Sequence, residues 1–351
     1  MTQNQEYERA RWREIPQQAL GDWNARLLQT DAPLSQYPYW NEPFRAMYFT
    51  PRYLVYGSSQ QSLAYVCILS VGIPGMQIGL VQRGPVRLIA DPGVWRSALP
   101  HLGEWAKAAG YVFLRFTHSD TDLLTSVAAV GTAEEVDAFP LYRDHWREEL
   151  IVEQREDDTQ MLGSFQTIAR RKIKKSIAFN YDISVSDSPE ALHKVWPLFA
   201  SLAERKTFQY RPMSSYMEMM RLAQPYACVR LYVASLAQQP VAAILIVRDR
   251  TTAYYISGAL DVVALGDNPS PACQLHWYAM RDFFQLGVKY YHLGTRSGEV
   301  YQFKRQFRPL ERVNPPPLTL VINTSWYRLW SAAILRLALP VWPRIKATVF
   351  R

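Results

Sequence analysis

The residues of this chain with the clearest chemical promise lie between Leu286 and Phe307. Residues 288–293 form a short β-type run rich in aromatics, and Gly294, Ser297 and Gly298 come after it as a turn that can expose backbone N–H groups. Phe303 and Phe307 come next, four residues apart, with Lys304 and Arg305 between them. At helical spacing the two phenylalanines share one face, and Lys304 lies just beside it. A lysine held against an apolar stripe, directly after a strand and a glycine turn, can project into a cleft and meet developing negative charge. The same spacing also fits an ordinary amphipathic turn with solvated cations.

The elements that must position this stretch repeat along the chain. Residues 280–286, Gly287 and 288–293 read as helix end, glycine and strand; 104–109, Gly110 and 111–116 read the same way. Strand-like runs precede both units, at 53–57 and 63–71 in the first half and at 229–235, 241–248 and 252–257 in the second. The pattern predicts a duplicated α/β domain on mixed sheets. Residues 1–15 are charged and expected to be frayed or lightly helical. Residues 72–79, with Pro74 and Gly75, are expected to turn, as is Arg83-Gly84-Pro85, where backbone can approach a ligand. The spacing predicts a helix over 93–109. It predicts another over 163–180, with Phe165, Ala169, Ile173 and Ile177 as its apolar stripe. The remaining faces of that second helix carry Arg170, Arg171, Lys172, Lys174 and Lys175, a run that also fits a plain solvated face. Further helices are expected from Pro189, with Ser188 as N-cap, to about 205, then over 216–222 and 271–286.

Length and composition set the outer bounds. A chain of 351 residues fits two domains, placed at 1–150 and 151–311, with 312–351 packing back on the first. The net charge of +8 points to anionic partners: phosphates, nucleic acid or an anionic membrane surface. Cys67, Cys228 and Cys273 are widely spaced and form no metal or redox pair, as in a reduced cytoplasmic protein. The N-terminal residues hold no apolar signal core, and no run reaches the ~18–20 apolar residues that span a bilayer. Beyond Asn314 and its three following prolines, residues 326–351 carry Trp326, Trp330, Arg328, Arg336, Arg344, Lys346 and Arg351 with no acid. This tail fits an interfacial helix on the inner face of an anionic membrane, or a helix packing on the first domain. The sequence has no Gly-x-Ser-x-Gly elbow, P-loop, HExxH or Rossmann fingerprint, and its six histidines show no metal spacing. Neither a metal nor a cofactor is expected.

Several stretches, in order, resemble the Fem family of non-ribosomal peptidoglycan aminoacyltransferases (FemABX). Tyr291-His292-Leu293-Gly294-Thr295 with Phe303-Lys304-Arg305-Gln306-Phe307 after it resembles that family's aromatic-Asp-Leu-Gly-Gly and Phe-Lys-x-x-Phe pattern. The basic run from Arg170 to Lys175, Arg205-Lys206-Thr207-Phe208, and 253–259 with Pro271, Gln274 and Trp277 resemble further segments. In the first half Gln36, Trp40 and Arg45, then Arg83-Gly84-Pro85, resemble its Gln…Trp…Lys and Arg-Gly-Pro features. His292 stands in place of the usual Asp, Thr295 in place of the second Gly, and Arg45 in place of Lys. No heptad-patterned hairpin is inserted in the second half.

The resemblance implies an α/β fold of two tandem GNAT-like (acyl-CoA N-acyltransferase-like) domains. It implies that an amine on a peptidoglycan precursor, lipid II or a UDP-MurNAc-peptide, attacks the ester of an aminoacyl-tRNA. Arg45 and Arg205, with Arg211 nearby, suit the acceptor diphosphate. Arg83, Tyr255, Phe303 and Phe307 are expected around the substrate, and Lys304 is expected to stabilise the oxyanion. Arg170, Arg171, Lys174 and Lys175 are expected to meet tRNA phosphates. The chain also lacks a glycine-rich pyrophosphate loop before a helix, which favours aminoacyl-tRNA over acyl-CoA as donor. An acyl-CoA-dependent N-acyltransferase of envelope assembly, or a non-catalytic binding scaffold, are the competing readings.

Overall fold

The computed structural model describes residues 10–91, 93–118, 121–129, 132–134, 148–206, 208–296 and 300–333. Expectations for residues 1–9, for Thr207, for Ser297 and Gly298, and for the tail beyond Ala333 lie outside the described residues. The chain divides into two compact units, Met1–Asp144 with Asn314–Arg351, and His145–Val313.

The first unit is built on β1 (Arg11–Glu14), β2 (Thr50–Gly57), β3 (Ser62–Ile73), β4 (Met76–Gln82), β5 (Val86–Arg87), β6 (Tyr111–Thr117) and β7 (Thr132–Glu134). The sheet order is β1-β2-β3-β4-β6, then the strand Leu318–Val321, then β7; β5 pairs with β3. From β1 to β4 the pairing is antiparallel. Between β4 and β6 it is parallel, and the crossover is helix α1 (Val94–Ala108). The spacing of Val94, Ala98, Leu102 and Ala106 puts all four against the sheet, where each is fully buried. Helix α2 (Thr121–Ala128) comes after β6.

Two expectations fail in this unit. Residues 11–14 are a strand, not a frayed or helical arm. Trp12 buries its ring, and its indole N–H donates to Ala98 O at 2.7 Å, which ties β1 down. Residues 72–79 turn only at Pro74-Gly75, between the paired Ile73 and Met76. Gly75 takes the φ of +81° that this two-residue connection requires. Everything from Met76 onward is β4, whose Ile78, Leu80 and Val81 enter the core.

The second unit contains β8 (Glu148–Glu153), β9 (Asp182–Ser186), β10 (Val229–Leu236), β11 (Gln239–Arg248), β12 (Thr252–Leu260), β13 (Tyr290–Thr295) and β14 (Leu310–Val313). The order is β14-β8-β13-β12-β11-β10-β9. Since β8 starts at Glu148, the boundary lies a few residues before position 150. Its helices are α3 (Thr167–Phe179), α4 (Pro189–Lys206), α5 (Met213–Ala223), α6 (Ala272–Gln285) and α7 (Val300–Arg305). Again one parallel pair occurs, β12 with β13, connected through α6.

The helix expected over 163–180 is broken. A short helix, Asp158–Ser164, ends at Phe165, which is extended, and α3 starts at Thr167. Phe165, Ala169 and Ile173 are buried as the stripe required, but Ile177 is 42% exposed. Because Phe165 stands outside the helix, the buried face runs Ala169, Ile173, Ser176. The Ser176 hydroxyl donates to Gln274 Oε1 on α6 at 2.6 Å.

The strand Leu318–Val321, hereafter β15, and helix α8 (Thr324–Ala333) return to the first unit. Tyr327 and Trp330 of α8 pack their rings on Phe113 of β6, with centroids 5.4 and 4.9 Å away. Trp326 and Leu329 remain 39% and 59% exposed. Among the described residues no helix is long and apolar enough to cross a membrane.

Candidate active site

The parallel pair of the second unit is short. β12 and β13 pair only from Thr252↔Tyr290 to Tyr254↔His292, although β12 continues to Leu260 and β13 to Thr295. Past these three rows the strands part.

Lys304, on α7, is buried, with a relative exposure of 7%. Its Nζ donates to Thr295 O at 3.0 Å, at the end of β13. Burial lowers its pKa to about 8, so near neutral pH it is still mainly an ammonium, held against apolar surroundings. Phe303 and Phe307 anchor α7. Their rings meet edge-on at 5.6 Å, and Phe307 also packs edge-on against Phe165 at 5.2 Å. The reading of Lys304 as a solvated cation on an amphipathic turn is thus excluded by its burial.

Between the two phenylalanines and Tyr255 lies His276 of α6, which sequence reasoning did not single out. Its ring centroid is 5.5 Å from Phe303, 5.5 Å from Phe307 and 4.7 Å from Tyr255. It shares a 2.9 Å hydrogen bond with the buried Tyr291 hydroxyl. Burial, and secondarily the charge of Lys304, push His276 down to about 3, so it is a neutral ring at physiological pH. Tyr255 is half-buried, and burial raises its phenol to about 12. Its hydroxyl needs the space over Gly258: a Cβ there would stand 2.5 Å from it. Tyr210, pushed upward by burial, donates to Gly258 O at 2.8 Å. Arg205, in the last turn of α4, is exposed and donates to Leu260 O, the end of β12, at 3.1 Å. Arg211 is half-buried, next to Tyr210.

The basic residues of α3 are arranged as expected on its outward faces. Arg171, Lys174 and Lys175 are exposed, and Arg170 donates to Thr167 Oγ1 at 2.9 Å. Lys172 reaches Gln306 Oε1, beside α7, at 3.1 Å.

Arg45 and Arg83 belong to the first unit. Arg45 is exposed and paired with Glu42 at 2.9 Å, and Glu42 also accepts from Tyr53 at 2.9 Å. Arg45 lines a cavity of about 430 Å³ with Gln17, Arg52 and Tyr53. Arg52 in turn pairs with Glu14. Arg83 is half-buried with a φ of +53°, and it leads into the buried Gly84-Pro85 turn. That turn and Gln36 form one brace. The Gln36 amide donates to Gln82 O at 2.6 Å and accepts from Cys67 N at 2.8 Å. A Cβ on Gly84 would stand 2.5 Å from the same amide. These two motifs are adjacent for packing reasons.

Among the described residues no group of three or more His, Cys, Asp or Glu is placed to hold a metal.

Residues 163–305 match the Acetyltransferase (GNAT) domain family. That match lies wholly within the second unit, His145–Val313, and covers less than half of the chain. The fold of the whole chain is similar to that of FemX. The crystal structure of FemX aligns with a TM-score of 0.77 at 15% identity, covering 91% of this chain and 99% of that one. The structure of L-PGS from Bacillus licheniformis aligns at 0.55 and 14% identity, covering 90% of this chain and 96% of that one. The C-terminal domain (DUF2156) of a protein assigned as a lysylphosphatidylglycerol synthetase, from Agrobacterium fabrum, aligns at 0.54 and 15%, with 91% and 97% covered. No curated protein matches at the level of sequence.

Proposed function

We propose that this chain moves an amino acid from aminoacyl-tRNA to an amine on the stem peptide of a cell-wall precursor, lipid-linked or UDP-linked. The observation that carries this reading is the buried Lys304 ammonium at the parting of β12 and β13, held by a backbone carbonyl. The FemX fold supports the same class of reaction. The acceptor amine adds to the ester carbonyl, forming the C–N bond and a tetrahedral oxyanion. The Nζ of Lys304 donates a hydrogen bond to that oxyanion in a site where burial makes the contact strong. Collapse breaks the C–O bond, and the ribose hydroxyl leaves with the proton that the amine gives up. Arg205 and Arg211 suit the precursor's diphosphate, and Arg45, in the cavity of the first unit, suits an anionic group of the acceptor. Arg83 borders the acceptor through its turn. Tyr255, Phe303 and Phe307 shape the opening. Arg170, Arg171, Lys174 and Lys175 give tRNA a sequence-tolerant phosphate contact. The tail from 326 onward would bring the protein to the cytoplasmic face of the membrane, where a lipid-linked precursor lies.

Purified protein, charged tRNA and precursor should yield a stem peptide longer by one amino acid in mass spectrometry. Intact transfer in both Lys304→Ala and Arg45→Ala would refute these residue assignments. A second reading, an acyl-CoA-dependent N-acyltransferase of the cell envelope, is favoured by the GNAT match itself. Tight binding of CoA in calorimetry, with no transfer from charged tRNA, would decide for it.

A further inference from the structure

The strand that meets Lys304 is irregular, and a buried pair of side chains holds the irregularity. On β8 the pairing with β13 steps from Ile151 to Glu149, two residues; on β13 it steps from His292 to Thr295, three residues. The extra residue makes a bulge, and Gly294 within it takes φ +86°. A bulge re-aims the backbone beyond it, and here the next carbonyl along the strand is Thr295 O, which receives Lys304 Nζ. His292 and Glu149 lie across the bulge at 2% and 0% side-chain exposure. The Gly294 N–H donates to His292 Nδ1 at 3.0 Å. Nδ1 therefore carries no proton, the ring is the neutral Nε2–H tautomer, and Nε2 donates to Glu149 Oε1 at 3.0 Å. Glu149 is also the residue whose backbone pairs with Thr295. One side chain thus grips the bulged amide, and its partner sits opposite the carbonyl that the bulge presents.

We infer that Glu149 and His292 are positioning residues: they lock the bulge at Gly294 and so fix where Thr295 O holds Lys304 Nζ. The inference rests on the reading of Lys304 as the oxyanion donor. An aspartate at position 292, as in the pattern this motif resembles, would accept the same N–H but would face Glu149 with a second carboxyl. Histidine keeps the acceptor and adds a donor for Glu149. The ring that packs on His292 is Tyr254 of β12, with centroids 5.2 Å apart, and its hydroxyl donates to Asp249 Oδ2 at 2.8 Å; Lys304 stands on the far side of the bulge.

The test separates the position of Lys304 from turnover. Full-length protein is treated under native conditions with an amine-acylating reagent, and modification of Lys304 is tracked by peptide mass spectrometry beside the rate of aminoacyl transfer. In His292→Leu the bulge loses its brace. Acylation of Lys304 should rise about tenfold, and kcat should fall between about tenfold and a hundredfold with both KM values held, as for a catalytic group displaced by about 1 Å. His292→Asn places an oxygen where Nδ1 was, so it should restore most of the protection even though it gives up the Glu149 contact. Glu149→Ala serves if the leucine variant does not fold, and its Lys304 should also become more reactive. Unchanged Lys304 acylation in His292→Leu or Glu149→Ala, or an asparagine variant no better than leucine, overturns the clamp. If acylation takes the expected order while even the unmodified protein transfers no amino acid, the clamp stands and the functional reading falls.

Discussion

The two units contain the same strand–helix–strand crossover, and they treat it in opposite ways. In the first, β4 and β6 stay paired from Gln77↔Tyr111 to Gln82↔Thr117. In the second, β12 and β13 pair over three rows and then part. The paired strands of the first unit are filled from within. Gly79 leaves space taken by Leu114 and Ile68, and a Cβ there would meet Leu114 Cδ2 at 2.5 Å. The parted strands of the second unit are bordered by half-buried Tyr255, neutral His276 and the buried cation Lys304. The same crossover therefore gives two different interiors. The closed pair is filled by apolar side chains, whereas the parted pair leaves room for Tyr255, His276 and Lys304.

The comparison breaks first at Lys304. Lys304→Met should lower transfer by about 10²–10³-fold, the loss typical of one oxyanion donor. It should not lower the melting temperature at pH 7, since it removes a charge that is costly to bury; an equal loss of fold and activity would argue for a structural lysine. Next comes Gly294→Ala. A left-handed φ costs a non-glycine residue roughly 1–2 kcal/mol, and the new methyl would stand 3.2 Å from Lys304 Nζ. Transfer should drop at least about tenfold, read as kcat beside a calorimetric melt.

Proton linkage sharpens the same point. The Lys304 pKa is lowered to about 8, so its charged form dominates below that value and is lost as pH rises through it. The rate of transfer should fall on the alkaline side of about pH 8, and Lys304→Arg, which stays charged, should lack that limb in a pH–rate profile. The opposite unit should answer differently. Arg45→Ala ought to raise the acceptor KM about tenfold, the scale of one lost charged contact, with kcat nearly constant. Smallest in its effect on chemistry is Gly79→Ala. It should lower the melting temperature of the closed pair by overpacking, at about 1–3 kcal/mol, while kcat of the surviving folded protein is unchanged.

Much of this was legible in the sequence because it is local. Helix α1 announces itself through its spacing. Phe303 and Lys304 sit on one short helix behind a strand and a glycine, with Phe307 in the turn that follows, and Lys304 is buried there. What escaped is what the chain brings together from afar. Glu149 meets His292 across 143 positions, and His276 takes its place only because α6 crosses between β12 and β13. Composition misled at β4, where Gly72, Pro74, Gly75 and Gly79 read as one long turn although only two residues turn. It misled at Ile177 too, because Phe165 is extended, outside either helix, and the true buried face passes to Ser176. Trp12 marks β1 only through a partner, Ala98, in another helix.

One further consequence concerns biosynthesis. The strand β15 lies between β6 and β7 and pairs with both, Leu318–Val321 against Phe113–Phe116 on one side and Thr132–Glu134 on the other. A ribosome delivers β15 only after the whole second unit has emerged. The half of the molecule that is made first therefore waits, with two strand edges unsatisfied, while the half made later folds as a self-contained insert. A chain stopped short of residue 318 would carry an intact lysine site on a body whose first sheet had never been joined.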